Sequence, residues 1–151
     1  MSVRDTNRIP ELVQQLKSLN KRKVQLGIVA PSGDKMYMVA WVHEFGIDIQ
    51  VTPKMRGWFL GQGMPISKNQ TKITIPERSY FRSGYDANSS SIGLEADKIV
   101  DQLLQGEISA YDARESLGEF AADKVRGNVS NVGLVKTGAL RDAIGYRVVL
   151  K

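Results

Sequence analysis

The only histidine in the chain, His43, stands directly beside a carboxylate in the stretch Val39-Ala40-Trp41-Val42-His43-Glu44-Phe45-Gly46. Such a pair is the raw material of acid–base or metal chemistry. A zinc hydrolase of the His-Glu-x-x-His kind needs a second histidine one helical turn further on, so that two nitrogens converge on one ion. With no second histidine and no cysteine, zinc hydrolysis, Cys-based zinc or iron–sulfur centres and disulfides all fall away. A Ser-His-acid triad has no Gly-x-Ser-x-Gly elbow to hold its serine. The ordinary role for His43 is to satisfy the last carbonyls of a helix.

Gly57-Trp58-Phe59-Leu60-Gly61-Gln62-Gly63 is glycine-rich, yet it lacks the Gly-Lys-Ser/Thr ending of a phosphate loop. It reads as a flexible apolar tip. Trp58, Phe59 and Leu60 either bury at home or anchor another subunit, since aromatics and arginine favour interface centres. The acid pairs Asp97/Asp101 and Asp112/Glu115 share helix faces by spacing, as acids on solvated helices commonly do. No enzyme activity and no cofactor are expected.

A chain of 151 residues, 42% apolar and 25% charged, is one domain's length of globular protein. No apolar run approaches the roughly 18 residues that span a bilayer. The first residues lack the apolar core of a signal peptide, so export by that route is not expected. The net charge of +5 is unevenly placed. Residues 52–82 carry Lys54, Arg56, Lys68, Lys72, Arg78 and Arg82 against Glu77 alone, a balance of +5. Residues 83–133 carry nine acids against Lys98, Arg114, Lys124 and Arg126, a balance of −5. Opposite faces set against a neighbour, nucleic acid on the basic part, and plain solvated surface all fit this pattern.

Ile9, Leu12, Val13, Leu16 and Leu19 make one helical stripe, with Pro10 at its start. Val24, Leu26 and Ile28 alternate as a strand, and Ala30-Pro31-Ser32-Gly33-Asp34 is a turn. Met36 to Phe45 forms a helix apolar nearly all round, which predicts burial; Phe45 would anchor the core and Gly46 permit a left-handed exit. Ile47, Ile49 and Val51 alternate as a second strand, and 52–74 is a long basic loop or partly ordered hairpin. Ser89-Ser90-Ser91 is a turn or cap candidate ahead of a helix through Ile92, Ala96, Ile99 and Leu103. Ser109 and Asp112 make a capping box, and Gly127-Asn128 ends the helix that follows. Thr137 caps a short turn before Tyr146, Val148 and Leu150 alternate in a closing strand. These elements predict one α+β domain over 1–151, a small, mostly antiparallel sheet with helices on one face, and 52–74 as an extended arm.

Three stretches together, Ala40-Trp41-Val42-His43-Glu44-Phe45-Gly46, then Ile75-Pro76-Glu77-Arg78-Ser79-Tyr80-Phe81-Arg82, then Leu134-Val135-Lys136-Thr137-Gly138-Ala139-Leu140 running on to Ala143-Ile144, resemble the tail-completion and tail-terminator proteins of long-tailed bacteriophages. The positions that match are Ala40, Glu44, Phe45, Gly46, Ile75, Pro76, Arg78, Tyr80, Phe81, Arg82, Leu134, Val135, Thr137, Gly138, Leu140, Ala143 and Ile144, with Tyr80 where phenylalanine is frequent. The resemblance implies a non-enzymatic virion subunit, assembled in the host bacterial cytoplasm, forming a homo-oligomeric ring, a hexamer, at the neck or head-proximal tail end. Its implied partners are the tail tube and head-closure or connector proteins, with no membrane and with nucleic acid only as DNA passing through the lumen. Arg78, Tyr80, Phe81 and Arg82 are then expected at a subunit or partner interface, with Met55, Arg56, Trp58, Phe59 and Leu60 as a gripping arm. Glu44 is expected to hold the arginine-bearing segment, and His43 to tolerate replacement. A small basic nucleic-acid-binding module, stacking bases on Trp58 and Phe59, is the alternative.

Overall fold

The computed structural model describes residues 7–29, 33–134 and 137–151. Residues 30–32 of the turn expected over 30–34, and Val135 and Lys136 of the third motif, lie outside them; Gly33 and Asp34 belong to a helix rather than to that turn. Helix α1 (Ile9–Asn20) starts on Pro10 and Glu11 and carries Lys17 in its last turn, as its sequence dictates. Strand β1 (Arg22–Ile28) pairs antiparallel with the closing strand β4 (Ile144–Leu150), setting Val24 opposite Val148, Leu26 opposite Tyr146 and Ile28 opposite Ile144. The ribbon packs on α5 (Ala110–Asn131), the central helix. Its buried face of Ala113, Gly118, Ala121, Ala122, Val125 and Val129 is small enough for close approach. At Gly118 the ring of Tyr146 fills the place of a side chain.

Helix α4 (Phe81–Gln105) runs along α5 and stops on Gly106, whose φ of 73° is the left-handed cap. It begins earlier than the sequence suggested, so Ser89–Ser91 lie within it. The Ser89 and Ser91 hydroxyls donate to the Asp86 and Asn88 carbonyls of the preceding turn, which satisfies them inside a helix. The Ser109–Asp112 capping box forms as expected. Gly127-Asn128 does not end α5, because Gly127 keeps an ordinary φ there and the helix continues to Asn131. A five-residue helix, α6 (Ala139–Ala143), enters from Gly138 at φ 77°.

The expected single sheet is two ribbons. Helix α2 (Gly33–Phe45) ends at Gly46, whose φ of 69° turns the chain away from β1. Strand β2 (Ile47–Gln50) therefore pairs only with β3 (Lys72–Ile75), with Ile47 opposite Ile75 and Ile49 opposite Ile73. Between them lies α3 (Pro53–Gly61), started by Thr52, whose hydroxyl accepts from the Met55 N–H at 3.2 Å. The 52–74 excursion is thus a hairpin arm tipped by a helix. None of β2, α3 and β3 packs extensively on the body.

Helix α2 corrects a second expectation. Only Ala40 and Glu44 are buried, while Tyr37, Met38, Trp41 and Phe45 are about half exposed. The body ribbon and α6 cover one side of α2, and a two-stranded arm is too narrow to cover the rest. The main core joins Ala40, Tyr80, Val125, Val129, Leu140 and Ile144; a second joins Ile99, Leu103, Ala110 and Ala113 under α1.

Candidate functional site

The centre of the site is the Glu44 carboxylate, at the C-terminal end of α2 with 6% exposure. Its Oε2 accepts the main-chain N–H of Tyr80 at 2.9 Å and of Phe81 at 2.8 Å. Its Oε1 accepts the Ser79 hydroxyl at 2.8 Å, the Arg82 N–H at 3.0 Å and the Arg82 Nε at 2.9 Å. The first N–H groups of a helix have no partner within it, and α4 receives no cap from its own Tyr80 side chain. A carboxylate from α2 supplies that cap across 36 residues of sequence and meets the positive end of the helix dipole. Burial alone raises the Glu44 carboxyl. The Phe81 and Arg82 N–H groups, the Arg82 guanidinium and the Ser79 hydroxyl outweigh it and hold the carboxyl below its usual range.

Other contacts lock the same junction. Arg82 Nη2 donates to the Glu44 carbonyl at 3.3 Å and to Glu77 at 2.6 Å. The Arg78 N–H donates to the His43 carbonyl at 2.8 Å. A Cβ on Gly46 would stand 2.7 Å from the Glu77 nitrogen, so the backbone crossing there requires glycine. Asn128 of α5 donates to the Tyr80 carbonyl and to the Ser83 hydroxyl, each at 2.8 Å, where Gly84 lets α4 cross α5. Four elements, α2, β3, α4 and α5, therefore meet at one clamp.

On the outer side of the clamp, Arg82 lies 4.9 Å above the Phe45 ring, and Phe45 packs against Trp41 with ring centroids 5.5 Å apart. Helix α2 is a ridge between two apolar grooves. One, of about 300 Å³, opens toward β1 beside Leu26, Ile28, Tyr37 and Phe81. The other, of about 430 Å³, opens toward the arm beside Met38, Val42, Ile47, Ile49 and Ile75. His43 lines the second, its Nδ1 buried without a hydrogen-bond partner among the described residues.

Comparison with protein-family models, curated proteins and solved structures finds no match.

A carboxylate whose oxygens accept five hydrogen bonds has no free lone pair for a substrate proton. Among the described residues, no three His, Asp or Glu side chains gather to hold a metal, and no helix is long and apolar enough to cross a membrane.

The expected site residues separate into three sets. Glu44, Phe45, Gly46, Pro76, Arg78, Tyr80, Phe81 and Arg82 come together at the clamp, although Phe45 is half exposed rather than a core anchor. Tyr80, expected at an interface, is 2% exposed and buried in the main core, with its hydroxyl pushed up to about 12 by burial and by the Glu44 charge. Arg82 is spent on Glu44 and Glu77. The second set, on the arm, is an ordered helix. Arg56 turns inward, its Nη1 donating to the Ser67 carbonyl at 2.7 Å and its Nη2 to that of Gln70 at 2.6 Å, so it stitches α3 to the returning loop. Met55 and Phe59 are half-buried beside it, while Trp58 and Leu60 stand exposed. In the third set, Gly138 makes its left-handed turn and Thr137 accepts the Ala139 N–H at 3.4 Å.

Of the six cations on the basic segment, Arg56, Lys72 and Arg82 are engaged within the chain, Lys72 with Asp48 at 2.9 Å. Arg56 keeps its positive charge against neutral carbonyls, whereas Lys72 and Arg82 face the carboxylates of Asp48, Glu44 and Glu77. Sequence reasoning missed Ser79, Gly84 and Asn128. Their only signal is a contact between distant elements, and a lone sequence does not carry that.

Proposed function

We propose that this chain is a structural subunit of a bacteriophage virion that assembles, six copies to a ring, at the neck or the head-proximal end of the tail. There it terminates the tail or joins it to the head, and it has no enzymatic role. The observation that carries the reading is the convergence of the three motifs. Glu44 of the first caps the helix opened by Tyr80, Phe81 and Arg82 of the second, and Leu140 and Ile144 of the third close the same core over Ala40 and Tyr80. Motif residues arranged in this way build a rigid junction.

The exposed ridge gives the junction a purpose. A fully buried aromatic covers about 150–250 Å², so Tyr37, Trp41 and Phe45 at half exposure leave roughly 75–125 Å² each uncovered. With Met38 and the groove walls added, the patch reaches the order of 300–600 Å², a size that on a monomer marks an interaction surface. The clamp fixes this ridge relative to the arm, as a subunit must to repeat one contact around a ring. An antibody to the chain is expected to decorate the neck or one tail end of particles that contain it. Decoration along the tube or at the baseplate, or none on the particle, rejects the reading.

A further inference from the structure

Helices α3 and α4 carry glycines that the isolated subunit does not explain. Gly57 and Gly61 in α3 and Gly93 in the middle of α4 are exposed, and a Cβ added at Gly57, Gly61 or Gly93 meets nothing within 4 Å. None has a positive φ. Glycine is the poorest helix former after proline, so where neither a turn nor a close contact in the same chain demands it, alanine would serve the monomer better. Close approach of another chain's backbone is the physical use that remains.

The surroundings of these glycines are complementary. On α3, Lys54 and Trp58 lie one turn apart on the face that Gly57 and Gly61 keep flat, and both are exposed. On α4, the helical repeat sets Asp86, Gly93, Leu94, Asp97, Asp101 and Leu104 on a single face. All six are exposed, and the three aspartates have no ion pair among the described residues. Lys54, Lys68 and Arg78 are likewise without an ion pair among the described residues. Within one copy the arm stands off the body, so its basic apolar tip does not cover this face. Among the described residues, the remaining exposed helical glycine with open space and an ordinary φ, Gly127, is a poorer match. Its neighbour Asp123 is held by Arg126 at 2.7 Å, and Lys124 lies over the Phe120 ring.

We propose that α3 of one copy crosses α4 of a second copy at Gly57 and Gly93, with Trp58 laid beside Leu94 and Lys54 facing Asp97. The inference rests on the ring reading and names the contact that builds it. The contact joins two different patches, so it repeats head to tail and closes into a ring or runs on as a filament. Arg56 has its part in this geometry: by holding the 66–70 carbonyls it keeps α3 rigid enough to serve as a fixed knob.

The test compares native mass spectra and sedimentation over a concentration series for the full chain and for Gly93→Leu, Lys54→Glu, Asp97→Lys and the double swap Lys54→Glu/Asp97→Lys. Circular dichroism checks that each is folded. Gly93→Leu is expected to melt no lower than the parent, because its site is open in the subunit, and to need at least about tenfold more protein to assemble. Each single charge reversal is expected to weaken assembly severalfold, and the double swap to recover it. A parent chain that assembles while Gly93→Leu assembles equally well, or a double swap that recovers nothing, overturns this contact and leaves the ring standing. A parent chain that is monomeric throughout overturns the ring reading and the contact with it.

Discussion

Arg82 donates twice to one oxygen of Glu44, through its main-chain N–H at 3.0 Å and through Nε at 2.9 Å. The start of α4 and the side chain that marks it are thus fastened to the same buried carboxylate. This fixes the direction of the longest helix in the chain relative to α2. Glu44→Gln keeps the shape and removes the charge, and it turns one acceptor into a donor facing other donors. A loss of roughly 2–4 kcal/mol is expected, since charge-assisted hydrogen bonds to a buried group are broken together. Calorimetry should show the midpoint falling by about 5–15 °C.

The same carboxylate makes stability depend on acid pH. Its folded-state value is depressed, so the stabilisation is present above the ordinary glutamate value of 4.5 and is lost as pH falls through the lower folded value. Chemical denaturation of the parent should therefore lose stability as pH drops below about 4.5, and Glu44→Gln should show a flatter profile over that window. Parallel profiles would contradict the clamp.

At the alkaline end the order is reversed. The Tyr80 hydroxyl is pushed up to about 12 by burial and the Glu44 charge, and that of Tyr146 to about 12, chiefly by its hydrogen bond to Glu115 at 2.7 Å. A raised folded value contributes stability below the ordinary value of 10 and loses it as pH climbs toward 12. In an ultraviolet titration, Tyr80→Phe and Tyr146→Phe should each remove one phenol from the late step.

Two glycine substitutions should have opposite signs. Gly46→Ala places a methyl group 2.7 Å from one backbone atom and 3.0 Å from another at a left-handed φ, and is expected to cost about 1–3 kcal/mol. Gly127→Ala lies in open space inside α5 and is expected to gain about 0.5–1 kcal/mol. Urea midpoints measured on both variants decide the matter.

Arg78 and Arg82 stand four residues apart and should behave differently. The Arg78 side chain is exposed without an ion pair among the described residues, so Arg78→Glu should fold normally and leave heads and tails unjoined in a particle assembly assay. Arg82→Glu sets a second carboxylate against Glu44 and should lower the melting temperature first. Infectious particles from Arg78→Glu would remove that residue from the interface.

Much of the fold was legible because local chemistry dictates it. Pro10 and Glu11 start α1, Ser109 and Asp112 start α5, and alternation in Val24, Leu26 and Ile28 sets the register against Ile144, Tyr146 and Val148. The role of Glu44 toward the arginine segment was expected under the family resemblance of the motifs, and the hydrogen bonds to Arg82 form it. The start of α4 at Phe81 was not, because its cap comes from another element. Helix α2 read as buried because periodicity reports apolar faces without saying what covers them. The burial of Tyr80 and the inward turn of Arg56 were hidden for a related reason: a motif shows that a residue is needed and not which way it faces.

A closed ring would be visible by electron cryomicroscopy of the purified full chain. The account predicts class averages of a ring with a central opening and a fixed copy number, about 100 kDa for six copies of the 16.7 kDa chain. Particles of single subunits at every concentration would contradict it.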